Sequence, residues 1–353
     1  MLAARFYGAK DIRIEEVDIP TIKASDDVLV EIAYCGICGT DLHEYLVGPI
    51  VTPMSPHPLT GATLPQTLGH EFSAKVVEIG SDVHDVKVGD RVSICPIITC
   101  GRCYHCRRGN GHLCVSMACT GLSADTGALA NFAVVKESQL AVLPDTVSDI
   151  EGALIEPAAV AAYGVDWAGV TGGDIVLVTG AGPIGVLSAM YASAIGAATV
   201  VIAEPNPNRA RLAQAMDIGP VVDPTQPGFA ELIAELTDGV GVDLAVECSG
   251  TTPGLTTAIS STRARGEVVQ TGLHTKPATV DMMEVANREI SIRGSWCYNL
   301  TDWPRIIRLV AAGKYPVAKA VTTTIPLTDV VTKGFDVLVD PTGDQLKVLV
   351  QSV

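Results

Sequence analysis

From residue 1 to about 90, apolar and polar residues alternate in short runs, as at 28–32 (Val-Leu-Val-Glu-Ile) and 74–79 (Ala-Lys-Val-Val-Glu-Ile), with turn residues Gly80 and Gly89-Asp90 between them. Period-two spacing broken by turn residues predicts strands, so this part reads as a compact all-β unit rather than helices. A polar, proline-rich loop over 48–58 interrupts it, either a lid or substrate wall or a plain connector.

Around Pro144 the character changes. Small residues over 151–160 predict a helix with one carboxylate, Glu156, in apolar company. Strands over 175–178, 198–203, 242–247 and 267–271 then alternate with helices over 186–195, 208–218 and 228–237. That alternation predicts a parallel, doubly wound sheet with its ligand at the carboxyl ends of the strands. From about Tyr298, a helix over 303–312 and short strands are expected to fold back onto the first domain.

The chain of 353 residues is long enough for two domains. A formal charge of -15 opposes sequence-independent nucleic-acid binding, which needs a basic face. The first residues lack the pattern of a secretory signal, and no apolar run reaches bilayer-spanning length, so a soluble, cytoplasmic protein is expected. In a reducing compartment, clustered thiols point to metal binding or catalysis more than to disulfides.

The spacing of the ten cysteines divides them. Cys100, Cys103, Cys106 and Cys114 fall within fifteen residues and can converge on one tetrahedral zinc, a closed structural site; a reduced or redox-active thiol cluster is the alternative. Cys35, Cys95, Cys119, Cys248 and Cys297 lack such partners and read as small buried hydrophobes. Cys38, His70 and the adjoining Glu71 supply the thiolate, imidazole and carboxylate that zinc prefers, and three protein ligands leave a fourth position open for water or substrate. A buried thiol and an unrelated imidazole are the alternative for that pair. Thr40 and His43 follow Cys38 closely enough to carry a proton from a bound alcohol towards water. Glu156 is either a buried carboxylate needing a partner or metal, or a helix-end acid facing water.

The strand over 175–178 leads into Gly180-Ala181-Gly182-Pro183-Ile184-Gly185 and then a helix. Gly180 suits the tight turn, Gly182 the close approach of backbone to a pyrophosphate, and Gly185 the packing of helix on strand. Pro183 and Ile184 complete the loop. Glu204 ends the next strand, where an acid can accept hydrogen bonds from the adenosine ribose and repel a 2′-phosphate, favouring NAD over NADP; a plain exposed strand-end acid is the alternative. Arg209 lies near enough to cover the adenine or to soften that preference.

These motifs, in this order along essentially the whole chain, resemble the zinc-containing medium-chain alcohol and polyol dehydrogenases. The resemblance implies an α/β fold: a GroES-like β domain carrying the catalytic zinc, a Rossmann domain inserted after it, and a return segment, placed at 1–157, 158–297 and 298–353. It implies Cys38, His70 and Glu156 as zinc ligands, with Glu71 behind them or exchanging with one. It further implies one catalytic and one structural zinc per subunit, NAD as hydride acceptor, and a proton path from Thr40 through the nicotinamide ribose to His43. The segments His57-Pro58-Leu59-Thr60-Gly61, Leu68-Gly69-His70-Glu71-Phe72 and Ala203-Glu204-Pro205 are similar to those of (R,R)-2,3-butanediol dehydrogenases. Sorbitol, threonine and other secondary-alcohol dehydrogenases would share most of these residues. The expected partner is a small alcohol or diol, with no nucleic acid and no membrane, and a homodimer or homotetramer is implied.

Overall fold

The computed structural model describes residues 1–340 and 342–352, which divide into two compact units. The first comprises Met1–Glu156, Asn299–Ala311 and Val321–Val353; the second comprises Pro157–Tyr298 and Ala312–Ala320.

The main sheet of the first unit is built around strand Asp27–Gly36. Strand Glu71–Ile79 runs antiparallel along it, while Phe132–Lys136 pairs with its first half and Lys347–Gln351 with its second. The register sets Gly36 opposite both Glu71 and Leu349, so two strands distant in sequence flank one glycine. Alternate residues Val28, Val30 and Ile32 are fully buried with Phe72, Ala74 and Val76 in one core.

One expectation for this unit needs correcting. It is not all β: Gly39–Val47 forms a helix directly after the first sheet strand. Asp41 explains the start, because its Oδ2 accepts the Cys38 N–H at 3.0 Å and so satisfies a donor the helix leaves open. The helix expected over 151–160 is also two helices, Asp149–Ala153 and Ile155–Ala168. Ser148 and Glu151 cap the first reciprocally. Restarting at Ile155 puts Pro157 in a first turn, where its missing N–H costs nothing.

The second unit carries six parallel strands in the order Val221–Val222, Thr199–Ala203, Ile175–Thr179, Val242–Glu247, Thr262–Gln270, Ser291–Gly294. Helices cover both faces, which is why Leu177, Val201, Ala245 and Val268 are all fully buried and their strands read as unbroken apolar runs. The order reverses between Ile175–Thr179 and Val242–Glu247, the crevice where such sheets take a ligand. The helix expected over 208–218 runs only Pro207–Gln214, followed by Asp217 at a left-handed φ of 55°. The strand expected over 267–271 begins earlier, at Thr262.

Candidate active site

In the first unit, the helix Gly39–Val47 and the start of strand Glu71–Ile79 bring Cys38, His70 and Glu71 together, with one ligand atom of each within 4.8 Å of the others. His70 and Glu71 are buried and Cys38 is partly so. His70 Nδ1 faces Asp41 Oδ1 at 3.4 Å, and a carboxylate on one ring nitrogen leaves Nε2 for a metal. Burial would pull the His70 pKa down, but the charges of Asp41 and Cys38 outweigh it and hold it well above its ordinary value. Burial, and then Glu71, push the Cys38 thiol up. The donor set fits zinc.

Thr40 Oγ1 lies 3.9 Å from Cys38 Sγ, and His43 follows on the same helical face at i+3. Glu156 is the second residue of helix Ile155–Ala168 and only 7% exposed, so it is not a water-facing helix end. It is not one of the three converging residues. Its charge nonetheless reaches the site through Lys347.

Lys347, 1% exposed, gives its Nζ hydrogens to Glu71 Oε2 and, at 3.0 Å, to the Ile37 carbonyl. Burial would strip its proton, but Glu71, Cys38 and Glu156 together raise its pKa. Space for this ion pair exists because position 36 is glycine: a Cβ there would strike Glu71 Oε2 and the Lys347 side chain. Sequence reasoning missed both Lys347 and Asp41. The signals were a single charge in the apolar run Leu346-Lys347-Val348-Leu349-Val350, and an acid three residues after a helix-starting Cys38.

The four sulfurs of Cys100, Cys103, Cys106 and Cys114 also lie within 4.8 Å of one another. Cys103–Cys106 is 3.5 Å and Cys100–Cys106 is 4.0 Å, close to the roughly 3.8 Å edge of a tetrahedron with 2.3 Å zinc–sulfur arms. None of the four is in a disulfide. Amide hydrogens of Cys106 and Val115 pull the Cys103 thiol down to about 6, while burial pushes Cys106 up to about 11. The cluster fits a closed zinc site.

In the second unit, Gly180 adopts φ 95° after the first sheet strand, and a Cβ on Gly185 would collide with the Gly180 carbonyl. A Cβ on Gly182 would meet no protein atom, so the open space lies above the loop, at the N-terminus of helix Pro183–Ala194. That is a cradle for a phosphate group. Glu204 is 4% exposed and accepts the Ala181 N–H at 2.7 Å and the Asn206 N–H at 2.8 Å, which rules out the exposed strand-end alternative. Arg209 is exposed on the following helix, Pro207–Gln214.

The sequence profile described as "Alcohol dehydrogenase GroES-like domain" matches residues 24–145, and "Zinc-binding dehydrogenase" matches 183–312. The chain is 38% identical over 99% of its length to (R,R)-butanediol dehydrogenase of Bacillus subtilis, covering 99% of that protein. It belongs to the zinc-containing medium-chain alcohol and polyol dehydrogenases. This oxidoreductase superimposes on the crystal structure of 2R,3R-butanediol dehydrogenase from Bacillus subtilis with a TM-score of 0.92, covering 100% of this chain and 99% of the other. It is also 34% identical to D-xylulose reductase A of Aspergillus niger, over 91% of this chain and 89% of that one. Among the described residues, no helix of the dehydrogenase is long and apolar enough to cross a membrane.

Proposed function

We propose that this dehydrogenase oxidises a vicinal diol or secondary alcohol with NAD, with (2R,3R)-2,3-butanediol and acetoin as its substrate pair. The observation that carries the reaction type is the convergence of Cys38, His70 and Glu71, with Thr40 beside the thiol. The substrate rests on the match over nearly the whole chain to (R,R)-butanediol dehydrogenase.

Cys38, His70 and a carboxylate, Glu156 or Glu71, would hold the catalytic zinc. Zinc in such a site acts as a Lewis acid that lowers the pKa of an alcohol hydroxyl. Thr40 would accept the proton of a bound alcohol, and His43, one turn on along the same helix, would release it to water. A nicotinamide dinucleotide, once bound, would supply the hydride acceptor that oxidation of the alcohol carbon to a ketone requires. Asp41 fixes the His70 ring. Gly180, Ala181, Gly182, Pro183, Ile184 and Gly185 would seat the pyrophosphate, Glu204 would accept the adenosine ribose hydroxyls, and Arg209 would cover the adenine. Glu204 has both oxygens held by backbone amides in a buried setting, so a 2′-phosphate beside it would meet a fixed like charge. Cys100, Cys103, Cys106 and Cys114 would hold a second, structural zinc.

A second reading, a polyol dehydrogenase acting on a sugar alcohol, is favoured by the D-xylulose reductase relative. Formation of NADH at 340 nm decides between them, measured with the three butanediol stereoisomers, sorbitol, xylitol and threonine, with NAD or NADP, with and without chelator. Chelator-sensitive turnover fastest on the (2R,3R)-diol is expected. Fastest turnover on a sugar alcohol would transfer the substrate to the second reading, and full turnover after metal removal would overturn the zinc mechanism.

We also infer a homodimer or homotetramer. All four residues of edge strand Ser291–Gly294 are exposed, and Met282, Met283 and Trp296 are exposed nearby in sequence, an unprotected sheet edge that favours self-association. Light scattering that gave a monomer mass would refute this. The unbridged thiols suit a reducing compartment, and we place the protein in the cytoplasm.

A further inference from the structure

Glu247 ends the fourth strand of the dinucleotide sheet with no exposed surface, and neither the glycine-rich loop nor the metal clusters account for a charge buried there. Its Oε1 accepts the Ser249 N–H at 2.7 Å, the Ser249 hydroxyl at 2.5 Å and the Gly250 N–H at 2.9 Å. Its Oε2 faces His274 Nε2 at 3.1 Å. A buried carboxylate needs such partners to remain ionised at tolerable cost.

These partners lie on two loops at the carboxyl ends of the sheet, and the first of them packs against the glycine-rich turn. The Ser249 backbone packs against Gly180, where an added Cβ would lie 3.0 Å from its N and Cα. The Glu247 carbonyl accepts the amides of Thr271 and Gly272, both at 2.8 Å. Among the described residues of loop 271–280, His274 is the one whose side chain bonds to the sheet. Its ring lines a cavity of about 460 Å³ with Gln270, Leu273, Ser295 and Trp296. That cavity sits at the ends of the fifth and sixth strands, on the opposite half of the sheet from Glu204. In a sheet made of two mononucleotide-binding halves, Glu204 marks the adenosine half, which leaves the nicotinamide half to the fourth to sixth strands.

We propose that Glu247 and His274 form a positioning pair that presets the nicotinamide half of the dinucleotide site, holding the loop after the fifth strand and the Ser249–Gly250 turn in place before the cofactor arrives. The pair deepens the reading of the chain as a nicotinamide dehydrogenase and rests on it. A carboxylate accepts only, so at Nε2 it keeps the hydrogen on that nitrogen and fixes the ring plane, which sets the part of the cavity wall that His274 forms. Losing that bond frees the His274 end of the loop, which stays tethered through the Thr271 and Gly272 amides, while Glu247 keeps its bonds to Ser249 and Gly250 and Glu204 its bonds to Ala181 and Asn206.

The test uses zinc-loaded full-length protein and compares NADH, followed by nicotinamide fluorescence, with AMP, which lacks the whole nicotinamide half, measured by calorimetry. For His274→Ala, NADH affinity is expected to fall about tenfold, the equivalent of one lost hydrogen bond to a charged group, while AMP affinity changes less than about twofold. His274→Gln, which retains a side-chain N–H donor, should recover most of the loss. Equal weakening of NADH and AMP would show a merely structural bond and overturn the proposal, as would unchanged NADH affinity in His274→Ala. Wild-type protein that bound AMP and not NADH would overturn the nicotinamide reading and the pair with it, an outcome distinct from a failure confined to the variants.

Discussion

Replacing Lys347 by Met keeps a flexible, unbranched side chain one atom shorter and removes its charge. Glu71 stays behind at 1% exposure, and the Ile37 carbonyl loses its donor. Removing one partner of a buried ion pair costs about 3–5 kcal/mol, because the other charge is left uncompensated. An unmade hydrogen bond to the carbonyl adds about 1 kcal/mol. Metal-free Lys347→Met should therefore lose roughly 4–6 kcal/mol. The first unit can be followed by the fluorescence of Trp303, which is 3% exposed, in urea, once the half-exposed Trp167 and Trp296 of the second unit are changed to Phe. Adding Glu71→Gln to the lysine variant removes the stranded charge, so the double variant should regain most of the loss. A single-variant cost below about 1 kcal/mol, or no recovery in the double variant, would refute the claim that these two charges need each other.

Cys103→Ser should remove about one zinc per chain and lower the unfolding temperature, while turnover per remaining zinc stays near wild type; unchanged zinc content would mean that the four thiols are not a metal site. Glu204→Ala should shift the NADP-to-NAD ratio of kcat/KM by about tenfold or more towards NADP, and an unchanged ratio would show that this carboxylate does not read the ribose. Asp27 gives a pH test. Burial acts to raise its pKa, but Lys136 and the amides of Ala24 and Lys23 outweigh it and hold it below the usual carboxylate range. A depressed folded pKa contributes stability above the unfolded value of about 3.9 that is lost as pH falls through the folded one. The stability gap between wild type and Asp27→Asn should be steady from pH 7 to 5 and close on acidification; a gap that stayed constant to pH 2 would contradict the assignment.

Much of the nucleotide unit was legible because its signals are local: β-branched runs, a glycine-rich turn and an acid at the end of the second strand follow one another in the sequence. Cys100, Cys103, Cys106 and Cys114 were legible for the same reason. The helix Gly39–Val47 was not, because its apolar side is broken by Asp41 and Glu44, both fully buried for polar reasons that hydrophobic spacing does not register. Lys347 was invisible for a different reason. Its meaning depends on a strand register that joins it to Glu71 across 276 residues, and no local window carries that. Glu156 shows the opposite limit: the sequence left its burial open, the structure buries it, and yet Glu71 is the carboxylate that converges with Cys38 and His70.

The position of strand Lys347–Gln351 inside the first sheet has a consequence for biosynthesis. On a ribosome, the four-cysteine cluster is complete as soon as Cys114 has emerged, whereas the counter-ion of Glu71 arrives only after the whole second unit has been made. A fragment released before Lys347 would thus carry one complete thiol cluster beside a Glu71 still without its counter-ion.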